Sequence, residues 1–129
     1  MSTTKLSKHQ QFLHENLTWG RSIDFFKQEN SFLKNRLSEV VDQESSKEFL
    51  ALAEQFQNRF ILKDEFMDEL KHDINTQARM LKDDISNSIY VVSDKNMKRQ
   101  DKLRNEMEYL ERDFTKLKNE FNKYLATEL

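Results

Sequence analysis

Apolar side chains recur along this chain at alternating steps of three and four residues, the spacing that lines one narrow stripe of an α-helix. Trp19, Ile23, Phe26, Leu33, Leu37 and Val40 form the first such series, with Asn30 in the remaining slot and Arg21, Lys27, Glu29, Lys34 and Glu39 beside or outside it. The series predicts a helix over about 5–42. It stops at Asp42-Gln43-Glu44-Ser45-Ser46, where short polar side chains compete for backbone hydrogen bonds. Ser45 followed by Glu48 matches a capping box, so a second helix is expected over about 46–92. Its stripe is Phe49, Leu52, Phe56, Phe60, Met67, Leu70, Ile74 and Leu81, with Lys63 and Gln77 as polar interruptions. Leu81, Ile85 and Ile89 then fall at four-residue steps, a stutter that would unwind a supercoil locally.

The next boundary lies within 86–96. Ile89-Tyr90-Val91-Val92 lowers helix propensity and Ser93-Asp94 offers capping side chains, which places the turn at Ser93-Asp94. A third helix over about 95–126 carries Leu103, Met107, Leu110, Phe114, Leu117, Phe121 and Tyr124, an unbroken repeat. Short polar connections make successive helices antiparallel neighbours. The expected fold is therefore all-α: one domain over 1–129, an elongated antiparallel three-helix bundle with coiled-coil-like packing and rods of about 50 to 70 Å.

Composition narrows the picture further. The 129 residues include no Pro and a single Gly, Gly20, while 34% are charged, so helix breakers are nearly missing. A hydrophobic fraction of 36% is low, yet ten Phe and one Trp supply large apolar surfaces. Lys and Arg number 21 against 23 Asp and Glu, interleaved to a net charge of −2, so no long-range field for polyanions is implied. With no Cys, disulfides, thiolate metal sites and Cys nucleophiles are excluded. Met1 to Lys8 lacks the apolar stretch of a secretory signal and no segment reaches the length of a membrane span; the expectation is a cytoplasmic protein with no membrane partner.

Candidate chemistry is sparse. Glu69-x-x-His72 has the spacing by which di-iron bundles present two ligands from one helix turn, but no second copy occurs. The Met67, Leu70 and Ile74 stripe lies about 140° to 160° around the helix from both residues, which puts them outward. Pairing the first two helices about Ser45 brings His14 level with His72, so a surface metal site of His14, Glu69 and His72, with Asp73 beside it, is the alternative reading. Its structural counterpart is an ordinary solvated helix face. His9, His14 and His72 are the three histidines, and none adjoins a candidate Ser nucleophile. One glycine cannot build a phosphate-cradling loop. The densest basic run, Lys95, Lys98, Arg99, Lys102 and Arg104, is offset by Asp94, Asp101 and Glu106, against a nucleic-acid surface. No enzyme and no cofactor are expected.

Glu54-Gln55-Phe56-Gln57-Asn58-Arg59-Phe60, followed by Asp68-Glu69-Leu70-Lys71-His72-Asp73-Ile74, resembles a small helical family of unknown function found in Bacteroidetes. His14-Glu15, Trp19 and Arg36-Leu37-Ser38-Glu39-Val40 fit the same pattern, so the resemblance spans most of the chain. It implies a stand-alone helical protein and brings no activity.

The apolar surplus is more informative. Leu6, Leu13 and Leu17 lie roughly opposite the Trp19–Val40 stripe, and Phe25 and Phe32 lie on another flank. One three-helix core does not easily bury them all. Gly20 beside the Leu13 and Leu17 face would admit a close backbone or mark a kink. The resulting expectation is a non-catalytic interaction or scaffold protein, either a homodimer or a binder of another protein, with Leu6, Leu13, Leu17, Phe25 and Phe32 as interface candidates.

Overall fold

A serine opens each helix of the bundle. The computed structural model describes residues 7–43 and 46–128, and its helices are α1 (Lys8–Gln43), α2 (Lys47–Ser86) and α3 (Asp94–Glu128), with no strand among the described residues. The Ser7 hydroxyl accepts from the Gln10 amide at 3.1 Å, and the Gln10 side-chain oxygen accepts from the Ser7 amide at 3.1 Å. This reciprocal box satisfies two of the amides that every helix start leaves unpaired. Ser46 accepts from the Phe49 amide at 3.2 Å, and Ser93 from the Asn96 amide at 3.1 Å. The box is thus found on α1, and the cap of α2 is Ser46, one residue beyond the expected Ser45. Ser45 and the expected first residue, Lys5, lie outside the described residues.

Helix α2 stops at Ser86, six residues short of the expected end at Val92. The chain reverses at Ser88, whose φ of 57° is in the left-handed region. Ser88 N–H then reaches the Ile85 carbonyl at 3.1 Å, and Ile89 N–H reaches the Asp84 carbonyl at 2.9 Å. That pair of bonds is a Schellman motif, which ends a helix by satisfying its last carbonyls. Ile89 consequently lies beyond α2, and Ile85 and Ile89 are both exposed. The four-step drift expected through Leu81, Ile85 and Ile89 does not occur; the buried positions continue Gln77, Leu81 in unbroken register.

Ion pairs in and beside the stripes fix how the helices align. Lys27 with Asp68, Lys34 with Asp64 and Asp24 with Lys71 join α1 to antiparallel α2. Lys63 with Asp113 and Arg59 with Glu120 join α2 to antiparallel α3. Between the parallel α1 and α3, Glu15–Arg104 and Glu29–Lys118 both span 89 positions. At 1.5 Å per residue the rods are about 50 to 60 Å long.

The main core occupies the half nearest the α1–α2 turn, and its density comes from rings. Phe56, Phe60, Phe121 and Tyr124 meet at centroid separations of 5.0 to 6.4 Å, and Phe26 meets Phe114 at 5.4 Å. Phe60 and Phe121 are fully buried. Such edge and offset contacts add to area burial. All seven α3 positions expected in the stripe are buried. In α2 the core layer after Phe49 uses Ala53, and Leu52 faces outward, because the four-three register running back from Phe60 and Phe56 reaches residue 53. In α1 Phe26 is half-buried, and the stripe extends beyond Trp19 through Asn16, Phe12 and His9 to the helix start. A Cβ on Gly20 would meet nothing within 4 Å, so no neighbouring backbone approaches it.

Candidate functional site

Phe25 and Phe32 stand two turns apart on the outer face of α1, on the side where Glu29 meets Lys118, and are 57% and 66% exposed. Phe25 rests edge-on against Phe26 at 5.9 Å, which fixes one ring while leaving its far face open. Leu17 is exposed as well but on the opposite flank, in a groove with Ile74, Asn75 and Ala78 of α2. Leu13, one turn earlier, lines the same groove but lies deeper in it. Leu13 is half-buried against the cluster Phe12, Leu81 and Val92, since its side chain projects toward α2. Leu6 lies outside the described residues. The four described interface candidates therefore fall on two flanks, Leu13 and Leu17 on one and Phe25 and Phe32 on the other.

A second apolar surface was missed by the sequence reading. Tyr90 and Val91, at the tip of the α2–α3 connection, are the most exposed large apolar residues described, at 82% and 79%. Their neighbour Val92 turns inward to the Phe12 and Leu81 cluster. The signal was present as a run of β-branched and aromatic residues between Ser88 and Ser93, but it was absorbed into the length of α2.

The three metal candidates do not converge. The bonds His9–Asp84 and Lys71–Asp24 set a register in which His14 lies beside Asn75, Ala78 and Lys82. His72 is therefore well over a turn away, and Glu69 and His72 are exposed on the outer face of α2. Among the described residues no group of three or more His, Asp or Glu is placed to hold a metal ion. The basic run is equally dispersed. Arg104 binds Glu15 and Asp101, Lys102 faces Glu106, and Arg99 turns to the Met80 sulfur and Asn96.

Polar chemistry is concentrated inside the bundle, at the end away from the aromatic core. Asn16, Gln77 and Gln100 are buried together. The Gln100 amide donates to Asn16 Oδ1 at 2.6 Å and to Glu15 Oε1 at 2.9 Å, and Gln77 donates to the Asn96 carbonyl at 3.0 Å. Asn16 Nδ2 and Gln77 Oε1 are buried with no hydrogen-bond partner. One layer further out, His9 Nε2 lies 3.1 Å from Asp84 Oδ2, which also accepts from Asn96 at 3.4 Å. Glu15 closes the layer from outside, meeting Arg104 through two bonds of 2.8 and 2.7 Å. Burial opposes ionisation of Glu15, but hydrogen bonds from Arg104 and Gln100 and the Arg104 charge outweigh it and hold its carboxyl below the usual range. The Glu15 bond correspondingly raises the affinity of Arg104 for its proton. Sequence reasoning identified Gln77 as a polar interruption but not Asn16, Asn96 or Gln100, because a polar residue at a core position leaves no hydropathy signal. These groups bond helix to helix, so the arrangement aligns the three rods.

The class of protein defined to this point is an all-α three-helix bundle, and no helix described is long and apolar enough to cross a membrane. No family model, curated protein or solved structure matches the chain.

Proposed function

We propose that the protein is a non-catalytic interaction protein, a homodimer formed through the Phe25 and Phe32 face of α1. The observation that carries this reading is the exposure of two phenyl rings two turns apart on one helix face. Such a pair lies about 10 Å apart along the axis and suits helix-on-helix contact with a two-fold related copy, where each patch meets its own equivalent. Paired exposed aromatics of this kind commonly mark contact surfaces. With the reading go a cytoplasmic location and the absence of an enzymatic role. Light scattering coupled to size exclusion tests it across a concentration series. A dimer mass that falls to the monomer in Phe25→Glu/Phe32→Glu, with helical content retained, supports it. A monomer at every concentration removes self-association and leaves the face to a different protein.

A further inference from the structure

The two halves of the bundle are cored differently. Toward the α1–α2 turn a continuous apolar cluster runs from Trp19 to Leu125. Beyond Trp19 the buried positions of α1 are Asn16, Phe12 and His9. Opposite them lie Gln77, Leu81, Asn96 and Gln100, and the apolar members Phe12, Leu81 and Val92 form a small cluster of their own. The N-terminal third of α1 thus contributes one buried apolar side chain, Phe12, and half-buried Leu13 to that cluster. The polar layer that seals it leaves a donor on Asn16 and an acceptor on Gln77 without partners. Separating α1 from α2 and α3 there would return both atoms to water, regaining the hydration that burial removed. What opposes separation is the Phe12 cluster, the bond of buried His9 to Asp84, the Gln100 bonds to Asn16, Glu15 and the Phe12 carbonyl, and the Glu15–Arg104 pair; only the last is open enough to solvent to be screened.

Gly20 stands at the junction between the two halves. Because a Cβ there would touch nothing, packing does not require glycine. Its presence loosens the helix where the aromatic core begins.

We propose that residues Lys8–Thr18 are a strap hinged about Trp19 and Gly20, which lifts as a unit from α2 and α3 while the remainder of the bundle, with Trp19 in its core, stays folded. The inference is independent of the self-association reading, since Phe25 and Phe32 lie on the other side of the hinge. Lifting uncovers a helix-wide seat lined by Leu81, Val92, Gln77 and Gln100.

Residue-resolved amide hydrogen exchange of the full chain tests this. Amides of Phe12–Leu17 are expected to exchange at one common opening equilibrium, at least about tenfold more populated than the opening that exposes Phe56–Leu70. Gly20→Ala should slow exchange in the strap by about fivefold, the equivalent of one glycine-to-alanine change inside a helix. Leu33→Ala lowers the stability of the aromatic core and should leave strap exchange unchanged. Three outcomes would overturn the proposal: equal opening constants for strap and core, a smooth gradient of protection falling off toward Lys8 with no step at Gly20, or strap exchange that follows the Leu33→Ala variant.

Discussion

The Tyr124 hydroxyl donates a 2.8 Å hydrogen bond to the carbonyl of Phe49, tying the last turns of α3 to the first turn of α2. Their rings are stacked with centroids 5.1 Å apart, so one contact combines ring packing with a bond to a helix carbonyl. Tyr124→Phe keeps the ring and removes the hydroxyl. A loss of about 1 kcal/mol is expected, read as a lower urea midpoint with unchanged slope. An unchanged midpoint would mean that the bond contributes nothing net.

Ser88 carries the left-handed conformation that ends α2. An L-side chain there costs about 1 to 2 kcal/mol, part of which glycine returns through its freer unfolded chain. Ser88→Gly should therefore raise stability by about 0.5 to 1 kcal/mol. Thermal melts of the two proteins decide it, and a fall in the midpoint would show that the serine side chain supports the turn.

Lys63 occupies a core position of α2 at 8% exposure, its ammonium paired with Asp113 and lying 5.7 and 5.5 Å from the ring centroids of Phe66 and Tyr109. Burying an ammonium carries a desolvation cost that such contacts offset only in part, while Asp113 keeps solvent on its other side. Lys63→Met is expected to leave stability unchanged or raise it by about 1 kcal/mol. A loss of comparable size in denaturant unfolding would show that the pair is a net stabiliser.

The Glu15 carboxyl is held below its usual 4.5 by Arg104 and Gln100 of α3, with Lys8 of its own helix adding to the effect, against the opposing influence of burial. A lowered folded-state value means that the ionised group stabilises the fold. That contribution is complete above pH 4.5 and disappears as pH falls through the lowered value. Stability of the wild type should decline more steeply than that of Glu15→Gln below pH 4.5, the two curves converging in strong acid. Parallel curves from pH 7 to pH 2 would assign no role to the pair.

Helix number, order and the apolar faces of α3 and of the aromatic half of α1 were legible in the chain itself. Leu103 to Tyr124 needs only its own spacing to define a stripe, and spacing is local. Even the outward position of Glu69 and His72 followed from the angle per residue. The caps were readable only as candidates. Adjacent serines at Ser45 and Ser46 offer the same chemistry one residue apart, and the reciprocal box of Ser7 and Gln10 looks like ordinary polar sequence until Gln10 turns back.

What the tertiary structure decided is whatever depends on two helices at once. Ala53 takes the core slot in preference to the larger Leu52 because Phe56 and Phe60 are already committed against Phe121 and Tyr124. Asn16, Gln77, Asn96 and Gln100 are internal because their hydrogen-bond partners come from other helices, a condition that hydropathy along one chain does not encode. Phe25 and Phe32 remain outside for the converse reason. Three narrow stripes close around one another, and a residue more than a flank away from its stripe has no neighbouring helix to cover it, however apolar it is.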